Sequence, residues 1–107
     1  MIAFMIAGST SAYAEDPTAL RAQADAKVKS AAVLMQQADQ LSRGVYNRNK
    51  MQAAMEMYIQ AGKAFEMAAN VYSALVPQYA TENDVHQARE MMQRCIRTVK
   101  SISNNLR

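Results

Sequence analysis

At 107 residues the chain is long enough for one domain and no more, and with half its residues apolar, three Gly and two Pro it favours long helices over a many-stranded sheet. The net charge of +3 comes from basic residues interleaved with nine acids, which gives nucleic acid or another polyanion little to hold. A single cysteine leaves no disulfide framework within the chain.

The opening stretch reads as an export signal rather than as part of a fold. Met1 to Gly8 is an apolar run, Ser9 to Ser11 is small and polar, and Ala12, Tyr13 and Ala14 have the small-x-small form that signal peptidase cleaves. The pattern lacks the basic segment that usually precedes the apolar run, which suits a start upstream of Met1. The run is far short of the roughly 20 residues of a membrane span, so an export signal over 1–14, a domain over 15–107 and a periplasmic or secreted location are expected.

Asp16 and Pro17 start the first helix. Asp can cap the free amide hydrogens, and Pro at the first helical position loses no hydrogen bond. Leu20, Ala24, Val28, Ala31, Met35, Ala38 and Leu41 then follow in steps of three and four, a shallow, Ala-rich packing face. Arg43 and Gly44 are expected to end this helix, giving 17–43, with the cation in the last turn and Gly44 free to take positive φ.

The second helix, expected over 47–76, is the organising element. A seven-residue step from Met51 meets Tyr58, Phe65 and Tyr72, and between these large side chains sit Ala54 with Met55, Ala61 with Gly62, Ala68 with Ala69, and Leu75 with Val76. A neighbouring helix can approach closely at the small positions and wedge between the rings. A second row of Ala53, Met57, Ala64, Met67 and Val71 leaves only a narrow polar strip, so this helix wants partners on two sides. Asn47 is its expected cap, Tyr46 is placed to pack on Met51 as a hydrophobic staple, and Pro77 ends it.

Thr81, Glu82, Asn83 and Asp84 restart the chain as a capping box with Asp in place of Glu or Gln. Val85, Ala88, Met92, Cys95, Val99, Ile102 and Leu106 then mark the apolar face of a third helix over 81–106. Short connections between helices of similar length predict an antiparallel up-down-up three-helix bundle, with the second helix touching both others.

The segment from Ala54 to Ala69, with Tyr58, Gly62, Phe65 and Ala69 at helical spacing, resembles helical-hairpin repeats of the tetratricopeptide type and three-helix trafficking modules. A tetratricopeptide unit turns halfway through its repeat, whereas this pattern runs unbroken to Pro77 with no second copy, and trafficking modules are intracellular. No functional residue is carried over from either.

His86 stands alone, without a second ligand or an orienting neighbour in sequence, and reads as a surface residue. Cys95 lies in the apolar stripe and reads as a buried thiol. Met35, Met51, Met55, Met57, Met67, Met91 and Met92 offer thioethers to a soft metal such as Cu(I), with Met51 and Met55 one turn apart. Most fall on apolar stripes, where Met fills gaps, and Met57, Met67 and Met91 are candidates for an adaptable surface toward a partner helix. Arg89, Arg94, Arg97, Lys100 and Arg107 give the third helix a positive outer face with Glu90 as its only acid after Asp84.

Paired catalytic carboxylates, a Gly-rich phosphate loop, a nucleophile elbow and Cys-x-x-Cys are all missing from the sequence. The expectation is a non-enzymatic, exported helical protein that works by protein contact or self-association, as an adaptor, inhibitor or envelope-associated structural protein. It has no catalytic, cofactor or metal site and no nucleic-acid partner. The alternative is a Met-rich carrier of a small ligand or of Cu(I).

Overall fold

The computed structural model describes residues 16–106, and the expected export signal lies outside them. Three helices make up the bundle: α1 (Pro17–Leu41), α2 (Arg48–Leu75) and α3 (Glu82–Leu106), with no strand among the described residues. All three begin as their sequences demand. The Asp16 carboxylate accepts from the Thr18 amide at 3.1 Å with Pro17 at the first helical position. The Asn47 side chain accepts from the Lys50 amide at 3.1 Å. At α3 the capping box closes in both directions. The Thr81 amide donates to Asp84 Oδ2 at 2.9 Å, and the Asp84 amide donates to Thr81 Oγ1 at 3.1 Å.

Two expectations about the α1–α2 connection need correction. The first helix stops at Leu41 rather than at 43, with Ser42 as its cap. The Ser42 hydroxyl donates to the Asp39 carbonyl at 3.0 Å, the Ser42 amide makes the last i→i−4 bond to the Ala38 carbonyl, and the Arg43 amide turns more tightly to the Gln40 carbonyl at 3.3 Å, which ends the helix. Arg43 is therefore outside the last turn, while Gly44 does take the expected positive φ, of 84°. Tyr46, expected to pack on Met51 as a staple, is left mostly in solvent at 58 % exposure, and Val45 is 93 % exposed. The turn through Gly44 carries both side chains into solvent.

α2 packs against both α1 and α3 and supplies the middle of the core. Tyr58, Phe65 and Tyr72 are buried, as are the small residues Ala54, Ala61, Gly62, Ala68 and Ala69 between them. The second row is only partly covered, with Ala53 and Met67 exposed and Met57, Ala64 and Val71 half-buried. Two apolar clusters result. One joins Met35 and Ala38 of α1 to Tyr58 and Phe65 of α2 and to Cys95 and Ile102 of α3. The other joins Ala24 to Tyr72 and Leu75, and to Val85 and Ala88.

The approach of α3 to α2 is tightest at Gly62. A Cβ added there would lie 3.3 Å from Cys95 Cβ, closer than most such contacts tolerate, so the absent side chain is what lets the helices meet. α1 contributes only Ala24, Ala31, Met35 and Ala38 as buried residues, a shallow face as its composition implies. The described chain measures 51 × 30 × 19 Å, elongated along its helices.

Phe65 is 1 % exposed and among the largest fully buried side chains. Phe65→Asp removes its packing and leaves an unpaired charge in the core, a loss on the order of 4 kcal/mol or more against a total stability of roughly 5–15 kcal/mol. The variant is expected to lose most of its helical circular dichroism and its cooperative melt; an unchanged melt would show that the core lies elsewhere.

Candidate interaction surface

The seam between α1 and α2 is closed by polar side chains. Tyr58 donates from its hydroxyl to the Asp39 carboxylate, and Tyr72 does the same to Asp25. The two tyrosines are fourteen residues apart and so are the two aspartates, so one register satisfies both pairs. Phe65, midway between the tyrosines, has no hydroxyl to satisfy, and Ala32 stands midway between the aspartates. Burial and the neighbouring carboxylate push the Tyr58 phenol up to about 12. The Tyr72 phenol is raised for the same two reasons, burial first and Asp25 second.

Arg21 ties the other end of the assembly together. Its Nη1 donates to the Tyr79 carbonyl and to Asp84 Oδ2, both at 2.9 Å, its Nε lies 3.7 Å from Asp25, and its guanidinium sits 5.4 Å from the Tyr72 ring centroid. Asp84 thus serves the α3 cap and the link to α1 with one carboxylate. The Thr81 amide first, then Arg21, holds it below the usual carboxylate range. No buried side-chain nitrogen or oxygen lacks a partner among the described residues. These polar groups are committed to holding helices together.

The α2–α3 seam is different in kind. Beside it runs an open groove of about 440 Å³ with Tyr58, Gly62 and Cys95 at its base. Ile59, Lys63 and Glu66 form one wall and Met92, Ile96, Val99 and Lys100 the other. Each wall repeats at i, i+4, i+7, so both present a continuous edge. Ile59 is 38 % exposed and Ile96 39 %, while Met92 and Val99 are half-buried. Apolar side chains thus line a concave strip bounded by Lys63, Glu66 and Lys100.

His86 is exposed on α3, with Nε2 3.4 Å from Glu90 Oε2, and nothing else about it suggests a ligand set. Cys95 is buried at 1 % exposure, and that burial raises its thiol. Met35, Met51, Met55, Met57, Met91 and Met92 all lie in or against one apolar cluster, and Met67 is exposed. Among the described residues no three or more His, Cys, Asp or Glu side chains gather where they could hold a metal ion. None of the described helices is long and apolar enough to cross a membrane. Arg89, Arg94, Arg97 and Lys100 are exposed along α3, as the sequence implies.

Sequence reasoning missed the partners of the tyrosines, Asp25 and Asp39, and the groove walls Ile59 and Ile96. The matching fourteen-residue spacings were the available signal for the first pair. The i, i+4, i+7 continuation of each stripe onto Ile59 and Ile96 was the signal for the second.

No protein-family model, curated protein or solved structure matches this chain. The unbroken helix through Ala54–Ala69 also departs from a tetratricopeptide hairpin. The surface must therefore be read from its own chemistry.

Because the Tyr58 phenol is raised above its ordinary 10.0, its contribution to stability is complete below pH 10 and is lost as pH climbs through about 12. Phenolate facing the Asp39 carboxylate would then repel α1 from α2. The melting temperature is expected to fall across this window, and to fall less in the Tyr58→Phe/Tyr72→Phe variant. Lysine deprotonation is common to both proteins, so their difference is the readout, and identical pH profiles would remove the tyrosine–aspartate latches from the account.

Proposed function

We propose that this chain is an exported protein that acts by protein contact, as an adaptor, inhibitor or envelope-associated structural element, through the groove between α2 and α3. The observation that carries the reading is the pair Ile59 and Ile96, exposed apolar side chains that border one concave strip together, whereas exposed Val33 and Met67 line none of the grooves among the described residues. Helices meeting at a seam are a common seat for a partner helix. The export part of the reading is supported by the apolar run and the small-x-small site over 1–14, with the domain over 15–107 working in the periplasm or outside the cell. An antiparallel up-down-up arrangement is part of the same proposal. It is supported by the paired hydrogen bonds, in which the later aspartate, Asp39, meets the earlier tyrosine, Tyr58, and Asp25 meets Tyr72.

One observation favours a second reading, the gathering of most methionines around one cluster. Thioethers packed in a core are also what gap-filling produces, and the contact reading explains the exposed isoleucines as well. Titration of the reduced protein with Cu(I) is expected to give no binding tighter than micromolar; a tighter site would replace the contact reading with a carrier.

The contact reading is tested by placing a photo-cross-linking amino acid at position 96, and in a separate protein at exposed Gln37 on α1, in the cells that produce the chain. A discrete adduct at position 96 and none at position 37 is the expected result. Failure to trap anything at 96, or the same adducts at both positions, would overturn the assignment of the groove.

A further inference from the structure

The groove carries a statement about what enters it, and this inference rests on the reading of the groove as the contact surface. Its walls run from Ile59 to Glu66 on α2 and from Met92 to Lys100 on α3. Each wall is about two helical turns, on the order of 12 Å. The apolar atoms lie low, on half-buried Met92 and Val99 and over the close Gly62 and Cys95 contact, and Ile59 and Ile96 stand above them. A strip of that length and depth accepts two or three side chains from one face of a helix.

Charge narrows the occupant further. Lys63 and Lys100 border the strip, one on each wall, and neither makes an ion pair among the described residues. Arg89, Arg94 and Arg97 line a separate depression on α3 with Glu90, so the positive charge at the strip itself is that of Lys63 and Lys100. Glu66 is the one acid on the walls. On the α1 side the balance differs, since Asp25 and Asp39 are engaged by Tyr72 and Tyr58.

We propose that the groove takes a short amphipathic helix of a partner protein, with apolar side chains seated between Ile59 and Ile96 and an acidic flank lying along Lys63 and Lys100. A second copy of this chain seated groove to groove fits less well, because it would bring its own Lys63 and Lys100 to the contact with only Glu66 to offset them. A membrane surface fits less well too. A lipid-bound helix presents a convex apolar ridge, whereas here the apolar groups lie in a recess between two helices.

The test uses the full chain with the cross-linker at position 96, with the adduct's attachment point identified by mass spectrometry. The expected attachment is a helical segment of another protein that combines spaced apolar residues with Asp or Glu. Reversing the rim with Lys63→Glu and Lys100→Glu is expected to lower the adduct yield about tenfold. The same change of charge placed on α1, Lys27→Glu with Lys29→Glu, is expected to leave it unchanged. Lys29, Lys63 and Lys100 are exposed and Lys27 is half-buried, so the comparison is made between variants whose circular dichroism matches the parent.

An adduct that persists undiminished through the rim reversal, or that falls equally with the α1 reversal, would overturn the acidic-helix proposal while leaving the groove as a contact surface. Attachment to a second copy of this chain, or to phospholipid, would likewise overturn it. No adduct at position 96 would remove the contact reading itself, and this proposal with it.

Discussion

Buried rings and buried small residues alternate along α2, and that alternation sets the depth at which α1 and α3 can sit. Tyr58, Phe65 and Tyr72 fill the interior while Ala54, Ala61, Gly62, Ala68 and Ala69 leave room for neighbours. At Gly62 the room is used fully, since one added carbon would crowd Cys95. The two seams that follow from this helix are closed differently. Toward α1, whose buried face is three alanines and Met35, apolar area is small and the tyrosine hydroxyls supply hydrogen bonds to Asp39 and Asp25. Toward α3 the contact is apolar and close, and its edge spills into an open groove.

That asymmetry links packing to function. A bond between a buried phenol and a carboxylate fixes register, because a helix slid by one residue would leave both aspartates and both hydroxyls unmatched. The groove is lined by α2 and α3 alone, and the close approach of those helices at Gly62 and Cys95 sets its two walls. A recess set in advance loses less freedom on binding, which favours the proposed contact. Cys95 at its base is buried with a raised thiol, so it serves there as a small packing residue.

Much of this was legible in the chain. The heptad step through Tyr58, Phe65 and Tyr72, the caps at Asp16 and Asn47 and the box at Thr81 are local patterns, and each formed as its residues imply. The failures share a cause. Asp25 is exposed and Asp39 half-buried on an Ala-rich helix, and nothing within a turn of either marks it as a partner for a tyrosine 47 or 19 residues away. Tyr46 satisfies the sequence pattern of a staple, but the positive φ at Gly44 sends the connection outward. Ile59 and Ile96 each read as a stray apolar residue until the register fixed at Gly62 and Cys95 brings them to one recess.

α2 holds both neighbours, and α1 buries only three alanines and Met35 against it. Native-state hydrogen exchange, residue by residue, measures this directly. The slowest amides are expected between Ala61 and Ala69, and those of α1 are expected to open at lower free energy than those of α2 and α3. Amides of α1 as protected as those of α2, or an α2 that opens before α1, would contradict it.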